Sequence, residues 1–460
     1  MRFSLILSLF LTALALRANA APNDRHVLLI TLDGFPAYLF RDPKAPIPTL
    51  RKLASEGVSA EGMRAANPTI TWPNHTTLVT GVYADKHSVL FNGLLKRNDD
   101  GKPLSIDAGV DQSQLIAVPT IWDVAHNAGF VTAAINWPCT RNAKTLDYNF
   151  PDVADQIEHI TPIGLKNELA QLHLIPGYTQ ASWGELSAPQ RDWSWTQSAC
   201  YVIRQHKPNL LLLHMLLMDT MHHQYGPQST AGYAAAAVLD SQLKDVLQAL
   251  DEAGIRQKTT IFVVADHGFA ISKRIIQPNV ILRKLGLLKV GAARVMSSQV
   301  QAAAEGGIAI VYFLDPSMGN DVRDNVIKTF TQMQGVAEII KPDRFGALGL
   351  PVRDMNHQMG DLVLVAKEGF AFGDGLAGES VIEATPGAGN IGNHGYLNTD
   401  EKMNALFVAS GRGIRKGLRL PIVDNRTVAP TIARILGLQL DRADAKPLEP
   451  ILDPAAFGHE

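Results

Sequence analysis

Charge of one sign, cysteine and long apolar runs are all scarce in this chain, and each scarcity removes a class of protein. Forty-two lysines and arginines stand against 44 aspartates and glutamates, a formal net charge of −2. That balance excludes a generally basic nucleic-acid binder, so no macromolecular nucleic acid is expected as a partner. The only cysteines are Cys139 and Cys200, and both one bridge and two buried thiols stay open as readings. Beyond residue 20 no uninterrupted apolar run is long enough to span a bilayer. Internal repeats and low-complexity tracts are absent as well, and nothing reads as disordered.

The first twenty residues, MRFSLILSLFLTALALRANA, stand apart from the rest. Arg2, the apolar stretch from Leu5 to Leu16 and the small-residue end Ala18-Asn19-Ala20 predict a secretory signal cut after Ala20. No cysteine stands at the cleavage site to carry a lipid anchor. A secreted or periplasmic protein without a transmembrane segment is therefore expected. Losing Arg2 and Arg17, with no acid in the segment, takes the charge from −2 to about −4.

What remains is ample for one large α/β domain with a smaller insertion. Strand signals at HVLLITLDG, at 130–137, 209–219, 259–268 and 404–411 alternate with helix signals at IPTLRKLASEG, 118–128, 191–206, 230–253 and 425–436. That alternation predicts a mostly parallel central sheet covered by helices on both faces. The rhythm breaks between 271 and 375, where GGIAIVYFLD, NDVRDNVIKTFTQM and DLVLVAKEGFAF read as an inserted cap subdomain. The catalytic domain is then 21–270 with 376–460. The stretch 139–190, with Trp183, Trp193 and Trp195 in or near it, reads as surface loops that could also line a pocket.

Metal-ligand residue types gather where strands end. Asp33 follows LLITL, Asp219 and His223 lie in MDTMHHQYGP, Asp266 and His267 close TTIFVVADHG, and His394 sits in GNHGY. Ligands of open α/β sheets collect beyond the carboxyl ends of strands, so these carboxylates face one crevice. Each has a bland alternative. Asp33 could cap a turn, the four-residue spacing of Asp219 and His223 occurs freely in loops, and His222 competes with His223. Gly268 would allow the turn that makes Asp266 and His267 useful together. As a set, three aspartates and three histidines suit two Zn2+ ions, since mixed carboxylate and imidazole donors favour zinc over magnesium. NPTITWPNHTTLVTG adds a hydroxyl at a helix start, with Pro73 fitting the first turn and either Thr71 or Thr69 available as nucleophile or N-cap.

These segments resemble the nucleotide pyrophosphatase/phosphodiesterases of the alkaline phosphatase superfamily. The resemblance rests on LDGF, the T-x-P-N-H-x-x-x-x-T-G pattern from Thr71 to Gly81, Asn92 after HSVLF, D-x-x-x-H-x-x-G-P from Asp219 to Pro227, ADHG and HGY. It implies an alkaline-phosphatase-like fold and a two-metal phosphoric diester hydrolase. Asp219, His223 and His394 would hold one zinc, and Asp33, Asp266, His267 and the Thr71 oxygen the other. Thr71 is the nucleophile by that resemblance, forming a covalent phospho-threonine, and the Asn92 amide donates to a phosphoryl oxygen. His75, His87 and His357 are expected to be structural.

The expected partner is a small-molecule phosphodiester, with a nucleotide favoured. A sulfatase is disfavoured because its C-x-P-x-R motif is missing. A phosphomonoesterase would need extra positive charge, and near Thr71 and Asn92 the sequence offers Lys86 and Lys96 but no arginine clamp. A choline-headgroup phosphodiesterase and a noncatalytic metal- or ligand-binding protein are the remaining alternatives. Trp72 and Phe91 could stack a base, enclose a quaternary ammonium or fill the core.

Overall fold

His26–Leu32 (β1) is HVLLITL with every side chain buried, which a strand tolerates only when both faces of its sheet are covered. The computed structural model describes residues 24–97 and 102–457, and the expected signal, residues 1–20, lies outside them. Seven strands join β1: β2 (Val58–Ala60), β3 (Thr132–Pro138), β4 (Tyr148–Asp152), β5 (Leu210–Met215), β6 (Thr259–Val264), β7 (Phe407–Gly411) and β8 (Leu418–Leu420). Their order across the sheet is β8-β2-β7-β6-β1-β5-β3-β4. Neighbours run parallel except at β7, which is antiparallel to β2 and β6. The expected mostly parallel α/β sheet is what the chain adopts.

The helices that matter for the site are α1 (Thr71–Thr80), α2 (Ala188–His206), α3 (Leu217–Tyr225), α4 (Thr230–Glu252) and α5 (Val428–Leu436). α2 and α4 pack on each other and α2 on β3 and β5, while α5 packs on α1 and β1. The apolar stripe of α5 explains its place, since eight of its nine residues are buried.

Within 271–375 lies a separate four-stranded antiparallel sheet of Val300–Ala304, Ile308–Phe313, Leu362–Ala366 and Val336–Ile340. The strand Ile308–Phe313 shows the two-residue period of a sheet with two different faces. Ala309, Val311 and Phe313 meet Val326 and Phe330 of the helix Asn320–Gln332, whereas Ile308, Ile310 and Tyr312 meet Leu90 and Phe91. Phe91 is thus core, and it ties the Asn92 loop to this second sheet.

Residues 139–190 differ from the loop expectation. They contain β4 and the helix Ile163–Gln171, and Trp183 packs edge-on to Phe150 and beside Trp195, with ring centroids 5.4 Å apart in each pair. Trp183 and Trp195 fill the core and only Trp193 is exposed, because the outermost strand β4 needs its own cover. Cys139 and Cys200 are free, separately buried thiols.

Candidate active site

The carboxyl ends of β1 and β6 deliver the first group of ligands. Thr31 pairs in register with His214 of β5 and with Val264 of β6, so Asp33 and Asp266 emerge side by side. Asp33, Asp266 and His267 are fully buried and offer ligand atoms within 4.8 Å of one another. One oxygen of Asp266 accepts the backbone N–H of Gly34 at 3.1 Å and of His267 at 3.0 Å, which fixes the carboxylate and points its second oxygen at His267 Nε2, 3.2 Å away. His267 Nε2 lies 3.4 Å from the Asp33 Oδ1.

The second group is Asp219, His223 and His394, again with ligand atoms within 4.8 Å. Asp219 is not at the strand end as expected: β5 stops at Met215, and Asp219 lies in the first turn of α3. The spacing to His223 therefore puts both on one helical face, with His223 Nε2 3.4 Å from Asp219 Oδ1. His222 turns away, its Nδ1 toward the Gly34 carbonyl at 3.2 Å. His394 Nε2 comes to 3.8 Å from the same Asp219 oxygen. The two groups touch, because the His267 and His394 rings stack at 3.9 Å.

Backbone geometry explains two glycines. A Cβ on Gly395 would lie 1.5 Å from the Glu305 carbonyl oxygen and its φ is +79°, so only glycine lets HGY pass between Thr69 and the turn before Ile308. Gly268 serves differently from the expected turn. Its φ is not in the left-handed region; a Cβ there would meet the Lys402 carbonyl oxygen at 1.9 Å, so close approach is what excludes a side chain.

The electrostatics fit cations. His223, His267 and His394 each aim Nδ1 at a backbone carbonyl, of Gly392, Gly268 and Thr69, at 3.0–3.1 Å. His267 and His394 therefore present Nε2 with its lone pair toward the acids, the orientation that metal-binding imidazoles adopt, whereas at His223 the neighbouring Asp219 outweighs burial and raises the imidazole. Burial holds His267 down to about 4 and, with His267 and His223 alongside, keeps His394 well below the usual range, so both are neutral donors. Burial and the facing Asp266 and Asp219 push Asp33 well above the ordinary carboxyl range, and burial raises Asp266 to about 6. Asp219 goes the other way, since the charge and hydrogen bond of His223 outweigh its burial. Asp33 Oδ1, Asp219 Oδ1, Asp266 Oδ2 and His267 Nε2 are all buried without a hydrogen-bond partner. Four orphaned atoms converging on two adjacent points are an arrangement that bound divalent cations would satisfy.

Thr71 is the first residue of α1, and Ile70, not either threonine, is the N-cap. Thr69 is committed elsewhere, its hydroxyl donating to the Tyr396 carbonyl at 2.6 Å. His75 Nδ1 donates to the Thr71 carbonyl at 2.9 Å and lies 3.6 Å from Asp266 Oδ2, so the helix start is braced against the first group. Asn92 is exposed, and its oxygen accepts the Trp72 N–H at 2.9 Å, leaving its amide nitrogen as donor. Pro73 has no N–H, so the Thr71 N–H is the remaining donor of the first three helical residues.

Some residues behind the site carried little sequence signal. His214 interrupts an otherwise apolar strand, and its Nε2 lies 2.9 Å from Asp33 Oδ2. Thr31 holds His75 Nε2 at 2.8 Å. Asp192 of α2 accepts the N–H groups of Leu216 and Leu217 at 2.9 and 2.8 Å, capping α3 from another helix. Burial pushes its carboxyl up to about 7 against those two bonds. Asp192→Ala should therefore destabilise the fold by about 3 kcal/mol, since two buried donors lose their acceptor. Urea unfolding measures this, and a loss below about 0.5 kcal/mol would contradict the cap.

An alkaline-phosphatase-like α/β fold with paired Asp/His groups at the carboxyl edge of its sheet defines the class. Residues 27–397 match the family model for type I phosphodiesterase/nucleotide pyrophosphatase, and the chain belongs to that family. Ectonucleotide pyrophosphatase/phosphodiesterase family member 5 of Homo sapiens is 24% identical over 446 residues, covering 94% of this chain and 79% of that protein. Bis(5'-adenosyl)-triphosphatase of Xenopus laevis is 23% identical over 424 residues, 90% of this chain and 78% of that one. Among solved structures, murine family member 5, an inactive threonine-to-alanine variant in complex with AMP, superposes with a TM-score of 0.69 at 18% identity, covering 93% of this chain and all of that one.

Proposed function

We propose that this protein is a zinc-dependent phosphodiesterase/nucleotide pyrophosphatase that hydrolyses a small nucleotide-type phosphodiester or pyrophosphate through a covalent phospho-threonine. The observation that carries this is the convergence of orphaned donors from two touching Asp/His groups beside the start of α1. Family membership supports the reaction class, and the AMP-bound relative supports a nucleotide.

Asp219, His223 and His394 would hold one zinc, and Asp33, Asp266 and His267 with the Thr71 hydroxyl the other. Two zinc ions would lower the barrier by stabilising the entering and leaving oxygens. The chain's own residues do the rest. Thr71 attacks phosphorus from the helix start, where the dipole and its own N–H favour negative charge. The Asn92 amide donates to a nonbridging oxygen, and Trp72 holds that side chain in place. His75 is neutral, since burial and the neighbouring His214 keep it well below its usual range; it orients Thr71 and does not titrate. Water then attacks the phospho-threonine from the side the leaving group vacated, restoring Thr71. We read 271–375 as a cap whose sheet fixes Phe91, and hence Asn92, on one side and the HGY turn on the other.

The test is metal removal. Dialysis against a chelator should abolish hydrolysis of a p-nitrophenyl nucleotide diester, and about two equivalents of zinc should restore it. Full activity in the chelated protein would overturn the proposal.

A further inference from the structure

Three carboxylates belong to the two ligand groups, and another stands at the carboxyl edge of the central sheet. The fourth is Asp152, the last residue of β4, level with Pro138 at the end of β3. Its partner is the Trp72 indole, whose Nε1–H donates to Asp152 Oδ2 at 3.1 Å. Trp72 follows Thr71, and its backbone N–H is held by Asn92. One tryptophan thus ties this acid to the nucleophile's helix and to the phosphoryl-oxygen donor.

Two further observations make the charge matter. Burial raises the Asp152 carboxyl to about 6 against the Trp72 hydrogen bond, so it is mostly ionised at and above neutral pH. It is also uncompensated: among the described residues no lysine, arginine or histidine forms an ion pair with Asp152. The two lysines that the sequence offered near Thr71 are spent elsewhere, Lys86 on Asp444 and Lys96 on Asp107, the latter at 2.9 Å. The start of α1 therefore has a carboxylate one side chain away, and neither of those two lysines offsets it.

We propose that Asp152 is a specificity-determining residue that repels a second negative charge on the bound phosphoryl group and so selects phosphodiesters over phosphomonoesters. At neutral pH a diester carries one charge on that group, whereas a monoester carries about 1.5 to 2. Like charges in a partly buried site repel far more than in water, and a diester's second substituent replaces the charged oxygen. The inference rests on the phosphoryl-transfer reading of the site.

Zinc-loaded wild type and Asp152→Asn are compared on an aryl diester and an aryl monoester with the same leaving group. Asparagine keeps the oxygen that accepts from Trp72, so a merely structural acid would leave selectivity unmoved. The monoester-to-diester ratio of kcat/KM should rise about 10-fold or more, and inhibition by inorganic phosphate should tighten by a similar factor. Asp152→Ser, which also retains an oxygen acceptor, should shift both the same way if the asparagine variant does not fold. An unchanged ratio, or equal losses on both esters without tighter phosphate inhibition, overturns the inference. Wild type cleaving neither ester would instead sink the phosphoryl-transfer reading.

Discussion

Thr71→Ala is expected to lower turnover by at least about 10³-fold while zinc content stays at the wild-type level. The substitution removes one hydroxyl from the first residue of α1 and leaves the backbone roles of that residue intact. The Thr71 carbonyl still accepts from His75. Six carboxylate and imidazole ligands also remain, so metal retention separates a lost nucleophile from a collapsed centre. Thr71→Ser should recover part of the rate, because a primary hydroxyl occupies the same place. Thr69→Ala is the control: it deletes a hydrogen bond to Tyr396 worth about 1 kcal/mol and no reacting atom, so turnover should stay within a few-fold of wild type. Wild-type turnover in Thr71→Ala, measured as initial rate alongside zinc content, would remove Thr71 from the mechanism.

The sequence disclosed the sheet and the Asp/His residues at its edge because both follow from local pattern. Runs such as LLITL and IFVV can only be strands buried on both faces, and an acid directly after such a run must emerge at the sheet's edge. Asp33, Asp266 and His267 were legible in that way, and the structure brings them together with full burial. Asp219 was legible as a residue but not as a helical one, because LLLLHMLLM offers no polar break where β5 gives way to α3. What supports these groups comes from far along the chain and left no such trace. His214 reaches Asp33 only because β1 and β5 are neighbours in register, and Asp192 caps α3 from a different helix. Asp152 matters only because β4 is the edge strand beside β3 and Trp72 reaches over to it. The burial of Trp183 and Trp195 has the same origin, since aromatic spacing in a turn-rich stretch does not say which layer covers it.

Asp266→Asn should cost at least about 100-fold in metal affinity and at least as much in turnover, while making the metal-free protein more stable at neutral pH. The two effects share one cause. Asp266 holds Gly34 and His267 through Oδ1 and keeps Oδ2 unpartnered, close to Asp33 and His267, a cost in the fold that a bound cation repays. Without that cation, burial raises Asp266 from 3.8 to about 6 and, with Asp266 facing it, lifts Asp33 well above its ordinary range, so the folded state holds protons that the unfolded chain releases. For acids raised on folding, stability is complete below the unfolded value near 4 and falls as pH rises through the folded values. Metal-free wild type should therefore lose stability between pH 4 and 6 and continue to lose it above, with Asp266 contributing roughly 3 kcal/mol. Asparagine accepts the same two backbone N–H groups and presents its NH2 to Asp33, so the loss attached to residue 266 disappears. Urea unfolding in chelator at pH 5 and 7.5 reads this directly: wild type should weaken at the higher pH and the variant much less, and zinc should reverse the ranking. A variant weaker than wild type without metal at pH 7.5 would mean that Asp266 is held by contacts alone, and that the buried charge serves no cation.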